Sequence, residues 1–327
     1  MPQIPIDDYR PPYWLFNGHL QTIVPSQFRK VEGLSYKREK LSTPDQDFLL
    51  LDWAGEPSEK LAIISHGLEG DSQRPYIKGM ARAFVRAGYE VLAWNFRGCG
   101  GEINHQLRFY HSGATDDLGL VINHALKQKK YQKVVLVGFS LGGNLTLKYL
   151  GEFGDQVAKP IHKGIAFSVP LDLHSSAVKI SETGNFIYSR RFLRNLKKKI
   201  EQKVLLMPDA LTTDYFSQIK SLKDFDDFYT APLHGFSDAI DYYTRCSSLY
   251  FLDKIKTPTL IVNARNDPFL SDLCYPTTKM QDHPYVQLHT PEQGGHVGFL
   301  QKGAKKDQDY WSEILAVRFA EEESDYF

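Results

Sequence analysis

Cysteine is scarce in this chain: Cys99, Cys246 and Cys274 are the only three in 327 residues, odd in number and far apart. That excludes a disulfide framework and fits reduced thiols in a cytoplasmic protein. No apolar run approaches the roughly 20 residues that cross a bilayer, and the first ten residues lack a basic start with an apolar core. Neither a spanning segment nor a signal peptide is expected. Charge of one sign is absent too. Lys plus Arg and Asp plus Glu each total 39, so no global field favours nucleic acid or an anionic surface. There is no H-E-x-x-H and no cluster of Cys and His at ligand spacing, so no metal is expected. No G-x-G-x-x-G follows a strand, which argues against a dinucleotide, and no cofactor is expected.

What the chain does have is alternation. Residues 1–30 are rich in Pro and aromatics (Pro11, Pro12, Tyr13, Trp14, Phe16) without clear periodicity, and read as an ordered arm on the core. From about residue 33, short apolar runs alternate with helical stretches. Strands are read at 48–53, 61–65, 90–94, 134–137, 164–168, 258–263 and 285–289, with helices at 76–87, 116–128 and through Tyr310, Trp311, Ile314, Leu315 and Phe319. Nearly continuous apolar strands separated by helices predict a mostly parallel sheet covered on both faces, an α/β fold. The alternation lapses between 171 and 250, where the segments look helical and more basic. The expected organisation is a first core part over 1–170, a helical cap insertion over 171–250 and a second core part over 251–327. Such an insertion lies over the C-terminal strand ends, where open α/β sheets bind ligands.

The chemistry concentrates at Gly138-Phe139-Ser140-Leu141-Gly142, between the run Val134–Val137 and a helical stretch from Gly143. Strand, tight turn and helix is the setting in which G-x-S-x-G presents a nucleophile, with Ser140 at the apex and helix N–H groups aimed at what it attacks. A serine hydroxyl is a weak nucleophile and needs a base, which in turn needs an orienting acid. Asp267 follows the strand at 258–263 and is the candidate acid, with Asp272 as the substitute. His296, in Gln293-Gly-Gly-His296, follows the last strand and is the candidate base; His289, at the end of that strand, is less able to turn inward. His66-Gly67-Leu68 follows strand 61–65 and matches the loop that completes an oxyanion hole, so the Leu68 and Leu141 N–H groups are the expected donors.

These parts, in this order, lead to a family. Asn17-Gly-His-Leu-Gln-Thr22, Asn95-Phe-Arg-Gly-Cys-Gly-Gly101, Tyr110-His-Ser-Gly113 with Thr115, Asp116 and Asp117, and Phe225-Asp226-Asp227 with Thr230-Ala-Pro232 give a similarity that spans nearly the whole chain. The chain resembles the YheT-like, or AB-hydrolase-4, family of α/β-hydrolases. The resemblance implies an α/β-hydrolase fold, carboxyl-ester hydrolysis or ester formation, and a triad at Ser140, Asp267 and His296. Some relatives carry an N-terminal membrane anchor, for which this sequence offers no match.

Other residues keep two readings. Phe139 either shapes the pocket or packs under the elbow; His66 and His111 either meet substrate or serve the structure. Thr115 is expected to cap a helix whose N-terminus Asp116 and Asp117 complement. Arg97 is expected to anchor a buried carboxylate or, less readily, a substrate group. Cys99 reads as a packing residue. Between 190 and 200, Arg190, Arg191, Arg194, Lys197, Lys198 and Lys199 accompany Phe192, Leu193, Leu196 and Ile200 at helical spacing. This cap helix either touches anionic lipid or packs its apolar stripe inward beneath a solvated basic face. The expected function is hydrolysis of short- to medium-chain acyl esters or acylglycerols. Acyl transfer to an alcohol and a catalytically silent ligand-binding role are the rivals. The sequence assigns no oligomeric state.

Overall fold

The computed structural model describes residue 6, residues 9–305 and residues 307–322. The rest of the expected N-terminal arm, residues 1–5, 7 and 8, lies outside the described residues. The centre is one eight-stranded sheet: β1 (Lys37–Ser42), β2 (Phe48–Ala54), β3 (Lys60–Ser65), β4 (Glu90–Asn95), β5 (Lys133–Phe139), β6 (Ile161–Phe167), β7 (Thr259–Val262) and β8 (Val286–His289). Their order across the sheet is β1-β2-β4-β3-β5-β6-β7-β8. β2 runs antiparallel to both neighbours, and every pairing from β4 through β8 is parallel. The one strand the apolar pattern misses is β1. Its residues Lys-Arg-Glu-Lys-Leu-Ser lie at an exposed edge, where burial imposes no hydrophobic alternation.

Side chains alternate across the strands and feed two cores. Leu61, Ile63, Leu92, Trp94, Val134 and Leu136 face one side, whereas Ala62, Ile64, Val91, Ala93, Val135 and Val137 face the other. The first layer is covered by α3 (Thr115–Gln128) and α4 (Leu141–Phe153), which follow α1 (Gly18–Phe28) and α2 (Pro75–Arg86) in the chain. α2 and the terminal helix Trp311–Glu321 cover the second layer. β3 lies between β4 and β5, so the loops leaving β3 and β5 are adjacent at the crevice where the strand order reverses.

Between β6 and β7 the chain builds α5 (Leu173–Ser181), α6 (Phe186–Leu206), short helical turns and the helix Ala239–Cys246. Leu193, Ile200, Ile219, Leu222, Phe225 and Tyr229 form their own apolar cluster with Phe109. α6 is pinned from beneath by two lysines. Lys203 donates to the carbonyls of Asn104 and Gln106, and Lys199 pairs with Glu69 at 2.7 Å. Lys199 therefore does not belong to a solvated basic face: helical geometry turns it inward, where its Nζ also lies 3.3 Å from Cys99 Sγ.

The Asn95–Gly101 block is a structural hub. Arg97, almost fully buried, holds Asp117 through two hydrogen bonds of 2.8 Å and also reaches Asp47 and Asp45. Asp116 and Asp117 both lie in the first turn of α3, as expected, and Asp117 is in addition an inward anchor. Thr115 is not the cap. α3 starts one residue earlier than that role requires, and the Thr115 hydroxyl donates to Glu152 at 2.6 Å.

Candidate active site

Ser140 stands between β5 and α4 with φ 53° and ψ −121°, a conformation that L-residues avoid. Such strain costs on the order of 1–3 kcal/mol and persists only where surrounding contacts enforce it. Here the Ser140 N–H donates to the Phe167 carbonyl at 2.9 Å, and the first turn of α4 closes through Asn144 N–H to Ser140 O at 3.0 Å. A Cβ on Gly142 would sit 2.4 Å from the His66 carbonyl, so the elbow fits against the β3 loop only with glycine there. The β3 loop also passes close to the nucleophile: a Cβ added at Gly67 would lie 3.1 Å from Ser140 Cβ.

Asp267 and His296 meet. His296 Nδ1 lies 2.8 Å from Asp267 Oδ2, and both side chains are nearly inaccessible. The second carboxylate oxygen accepts the Phe269 N–H at 2.9 Å, and the Phe269 ring lies 4.3 Å from the imidazole. A carboxylate on Nδ1 fixes the proton there and leaves Nε2 as the basic nitrogen. Val297, next to His296, holds φ 52° and donates its N–H to Ser168 Oγ at 2.9 Å, at the end of β6 and beside the elbow. Among the described residues no hydrogen bond joins Ser140 Oγ to His296. The two alternatives lie apart: Asp272 is exposed, and His289 ends β8 beside the Trp311 ring.

The residues that hold this pair together come from the N-terminal Asn17–Thr22 block, whose role the sequence pattern does not reveal. Asn17 caps α1, and Gly18 passes so close to Asn266 that a Cβ would fall 1.9 Å from its carbonyl oxygen. Gln21 is fully buried. Its Oε1 accepts from Asn266 Nδ2 (3.0 Å) and Gly294 N–H (2.7 Å), while its Nε2 donates to Gln293 Oε1 and Leu15 O. Thr22 Oγ1 accepts the His296 N–H at 2.9 Å. α1 thus ties the loop carrying Asp267 to the loop carrying His296. The sequence marked this block only as part of a family resemblance, with no role for Gln21 or Thr22.

His66 does not line the cavity that holds Ser140. Its Nε2 accepts the Phe96 N–H at 3.1 Å, which leaves the proton on Nδ1 to donate to the Gly67 carbonyl at 2.8 Å. Burial pushes its pKa down to about 3, so the ring is neutral. In a trans peptide the N–H opposes the C=O. By holding the Gly67 oxygen, His66 turns the Leu68 N–H away from itself. Among the described residues neither the Leu68 nor the Leu141 N–H meets an acceptor, and both residues line the same cavity as Ser140. Phe139 is not in that cavity: it is buried under the elbow, stacked on Phe167 at 5.4 Å and tilted against Tyr76. A strand residue one position before the apex points into the sheet's other layer, which is why it packs instead of binding.

The cavity lies between the Ser140 elbow and the segments that join β6 to β7. α5, α6 and Phe225 supply mostly apolar walls, among them Leu173, Ile180, Leu196 and Ile200. Polar lining comes from His111, Asp226, Thr230, His234, Tyr242 and Tyr243. His111 thus does line the cavity. Its Nδ1 accepts the Gly113 N–H at 3.2 Å, and burial holds its pKa well below the usual histidine value. Asp226 opens a π-helical turn and accepts from the Thr230 and Tyr243 hydroxyls at 2.5 and 2.6 Å.

A parallel sheet with β2 reversed, a strained serine after β5 and a buried acid–histidine pair after β7 and β8 match one known architecture. The family model described as alpha/beta hydrolase fold matches residues 62–303. YheT of Escherichia coli (strain K12), named as a candidate esterase, is 34% identical over 291 residues, covering 87% of this chain and 84% of its own. The chain belongs to the YheT-like α/β-hydrolases. A second relative of this hydrolase, a protein of Saccharomyces cerevisiae named monoacylglycerol lipase, is 29% identical over 85% of this chain and 62% of its own length. Among solved structures, the Pyrococcus furiosus esterase Pf2001 superposes with a TM-score of 0.59 at 18% identity, covering 97% of this chain and 98% of its own, a likeness of fold.

Proposed function

We propose that this α/β-hydrolase is a carboxylic ester hydrolase acting on short- to medium-chain acyl esters or acylglycerols. The observation that carries the reading is the 2.8 Å Asp267–His296 hydrogen bond, on a loop tied through Val297 to Ser168 at the strand end that also holds the strained Ser140, whose cavity holds two unpaired amides. The names of the bacterial and yeast relatives support ester chemistry, and the apolar cavity walls suit an acyl chain.

In this reading the ester carbonyl lies over Ser140 with its oxygen toward the Leu68 and Leu141 N–H groups. Substrate binding draws Ser140 Oγ and His296 Nε2 into a hydrogen bond, a contact that is often long in unliganded sites. His296 takes the serine proton as Oγ bonds to the carbonyl carbon, and Asp267 stabilises the resulting imidazolium. The two amides hold the oxyanion; one such donor is worth about 3–4 kcal/mol of transition-state stabilisation. Collapse expels the alcohol, which receives the proton from His296. Water then attacks acyl-Ser140 by the same route and releases the acid.

Labelling with an alkyl fluorophosphonate, read by intact mass and peptide mapping, tests this. One adduct on Ser140, absent from Ser140→Ala and much slower in His296→Ala, is expected together with turnover of a short-chain ester. An adduct elsewhere, or none on folded protein, would sink the assignment.

A further inference from the structure

The outer face of α6 gathers cations. Arg190, Arg191, Arg194 and Lys198 are exposed, and among the described residues none of them makes an ion pair. Arg74 from the loop before α2 joins them, also without a carboxylate. Burial, then the charges of Arg74 and Arg194, lower the Arg191 pKa, as expected of cations gathered without counter-charge. Glu201 lies on this face of α6, and Glu69, Asp71 and Glu102 line the groove beside Arg74 and Lys198; Glu69 is paired with Lys199 and Glu102 with Lys40, so an excess of positive charge remains.

Apolar residues flank the cations at both ends. Ile187 is 73% exposed and Leu205 83%. At 100° per residue, positions 187, 191, 194, 198 and 205 fall within about 40° of one line, and the two apolar ends are about 27 Å apart. Phe186, also exposed, adds a ring at the first end, where Arg190 lies 5.9 Å from its centroid. This end joins a second exposed group. Tyr188 stacks on His19 at 5.8 Å and hydrogen-bonds its Nδ1 at 3.2 Å, just after Tyr13 and Phe16, which are 90% and 76% exposed. Tyr188 also packs on Phe269, and Phe269 on His296. The face therefore borders the candidate active site.

We propose that this face docks the enzyme on an anionic phospholipid bilayer. Phosphate-bearing headgroups neutralise Arg74, Arg191, Arg194 and Lys198, and Ile187, Phe186, Leu205 and Phe16 enter the acyl boundary. A small anion would satisfy the cations and leave the apolar ends in water. A flat partner offering both charge and hydrocarbon along the helix satisfies both, as for interfacial amphipathic helices. Docking does not depend on the chemistry at Ser140, so the two readings can fail separately.

Co-sedimentation of the full chain with vesicles tests the proposal, comparing phosphatidylcholine alone with phosphatidylcholine containing about 30% phosphatidylglycerol. The protein and its Ser140→Ala variant are expected to bind the anionic vesicles at low salt, at least about tenfold more tightly than neutral ones, and to release as salt rises. The double variant Arg191→Glu, Arg194→Glu should lose at least about tenfold in binding, and Ile187→Ser with Leu205→Ser should also weaken it, both with unchanged melting temperature. Equal binding to both vesicles, no binding at low salt, or indifference to both double variants would overturn it. So would release by inorganic phosphate at constant ionic strength, which would mark a free-anion site. Retention of the protein, but not of the Arg variant, on poly-glutamate with vesicles ignored would assign the face to an acidic protein instead.

Discussion

Thr22 Oγ1 accepts the backbone N–H of His296 at 2.9 Å and donates its own proton to the Gly18 carbonyl at 2.6 Å. One hydroxyl thereby fixes the histidine loop to α1, which Gln21 fixes to the loop of Asp267. Imidazole placement in this hydrolase is thus set by a segment far away in the chain.

Thr22→Val keeps the shape and removes both bonds, leaving the His296 N–H buried and unpaired, a penalty of about 1–3 kcal/mol. The expected result is a kcat loss of about tenfold or more with KM changed less than about twofold, since a misplaced base weakens the transition state more than binding. Thr22→Ser should recover most of kcat. Steady-state kinetics alongside a thermal melt would check this; equal losses in both variants, or a loss confined to KM, would contradict it.

His66 governs the other half of the site. His66→Leu fills similar space and removes one of the two hydrogen bonds to the Gly67 carbonyl, leaving only the Gly70 N–H at 3.0 Å, so the Leu68 N–H is held less firmly in direction. A donor out of line forfeits part of what an oxyanion-hole donor supplies, and kcat should fall by about 10–100-fold. The same substitution carries a pH signature. The folded pKa of about 3 lies below the unfolded value near 6.5, so on acidification the unfolded chain takes up a proton that the buried ring refuses. This group therefore costs the native state stability as pH falls from about 6.5 toward 3. Urea titrations of both proteins at neutral and mildly acid pH should show a smaller acid-side loss for the variant. Parallel pH curves would refute the buried neutral histidine.

The core strands were legible because burial writes an unbroken apolar signal, and Ser140, Asp267 and His296 because each follows such a strand. β1 was not, since an exposed edge strand of Lys, Arg and Glu carries no such signal. For His66 and Phe139 the sequence left a substrate role and a structural role open, because direction decides between them. One spends both ring nitrogens on backbone, and the other lies beneath the apex. Gln21 and Thr22 escaped because their partners are more than 240 positions away, and no local period encodes such a contact. Lys199 looked like its exposed neighbours because a run of charges does not say which faces inward.

Asp226 offers a test of the cavity's polar side. Burial lifts its carboxyl to about 6, even though the Thr230 and Tyr243 hydroxyls both donate to it and favour the charge. The folded value exceeds the unfolded one, so the native state holds a proton that the unfolded chain has released. The stability this contributes is complete below the unfolded carboxylate pKa of about 4 and is lost as pH rises through about 6. Asp226→Asn has no charge to desolvate. The stability of the variant relative to the parent should therefore rise between about pH 4 and 6.5, by on the order of 2 kcal/mol, and then level off. Taking the difference at each pH cancels the other titrating groups. Denaturant unfolding across that range reads it directly, and a difference that does not change with pH would mean that the carboxylate is charged and well solvated throughout.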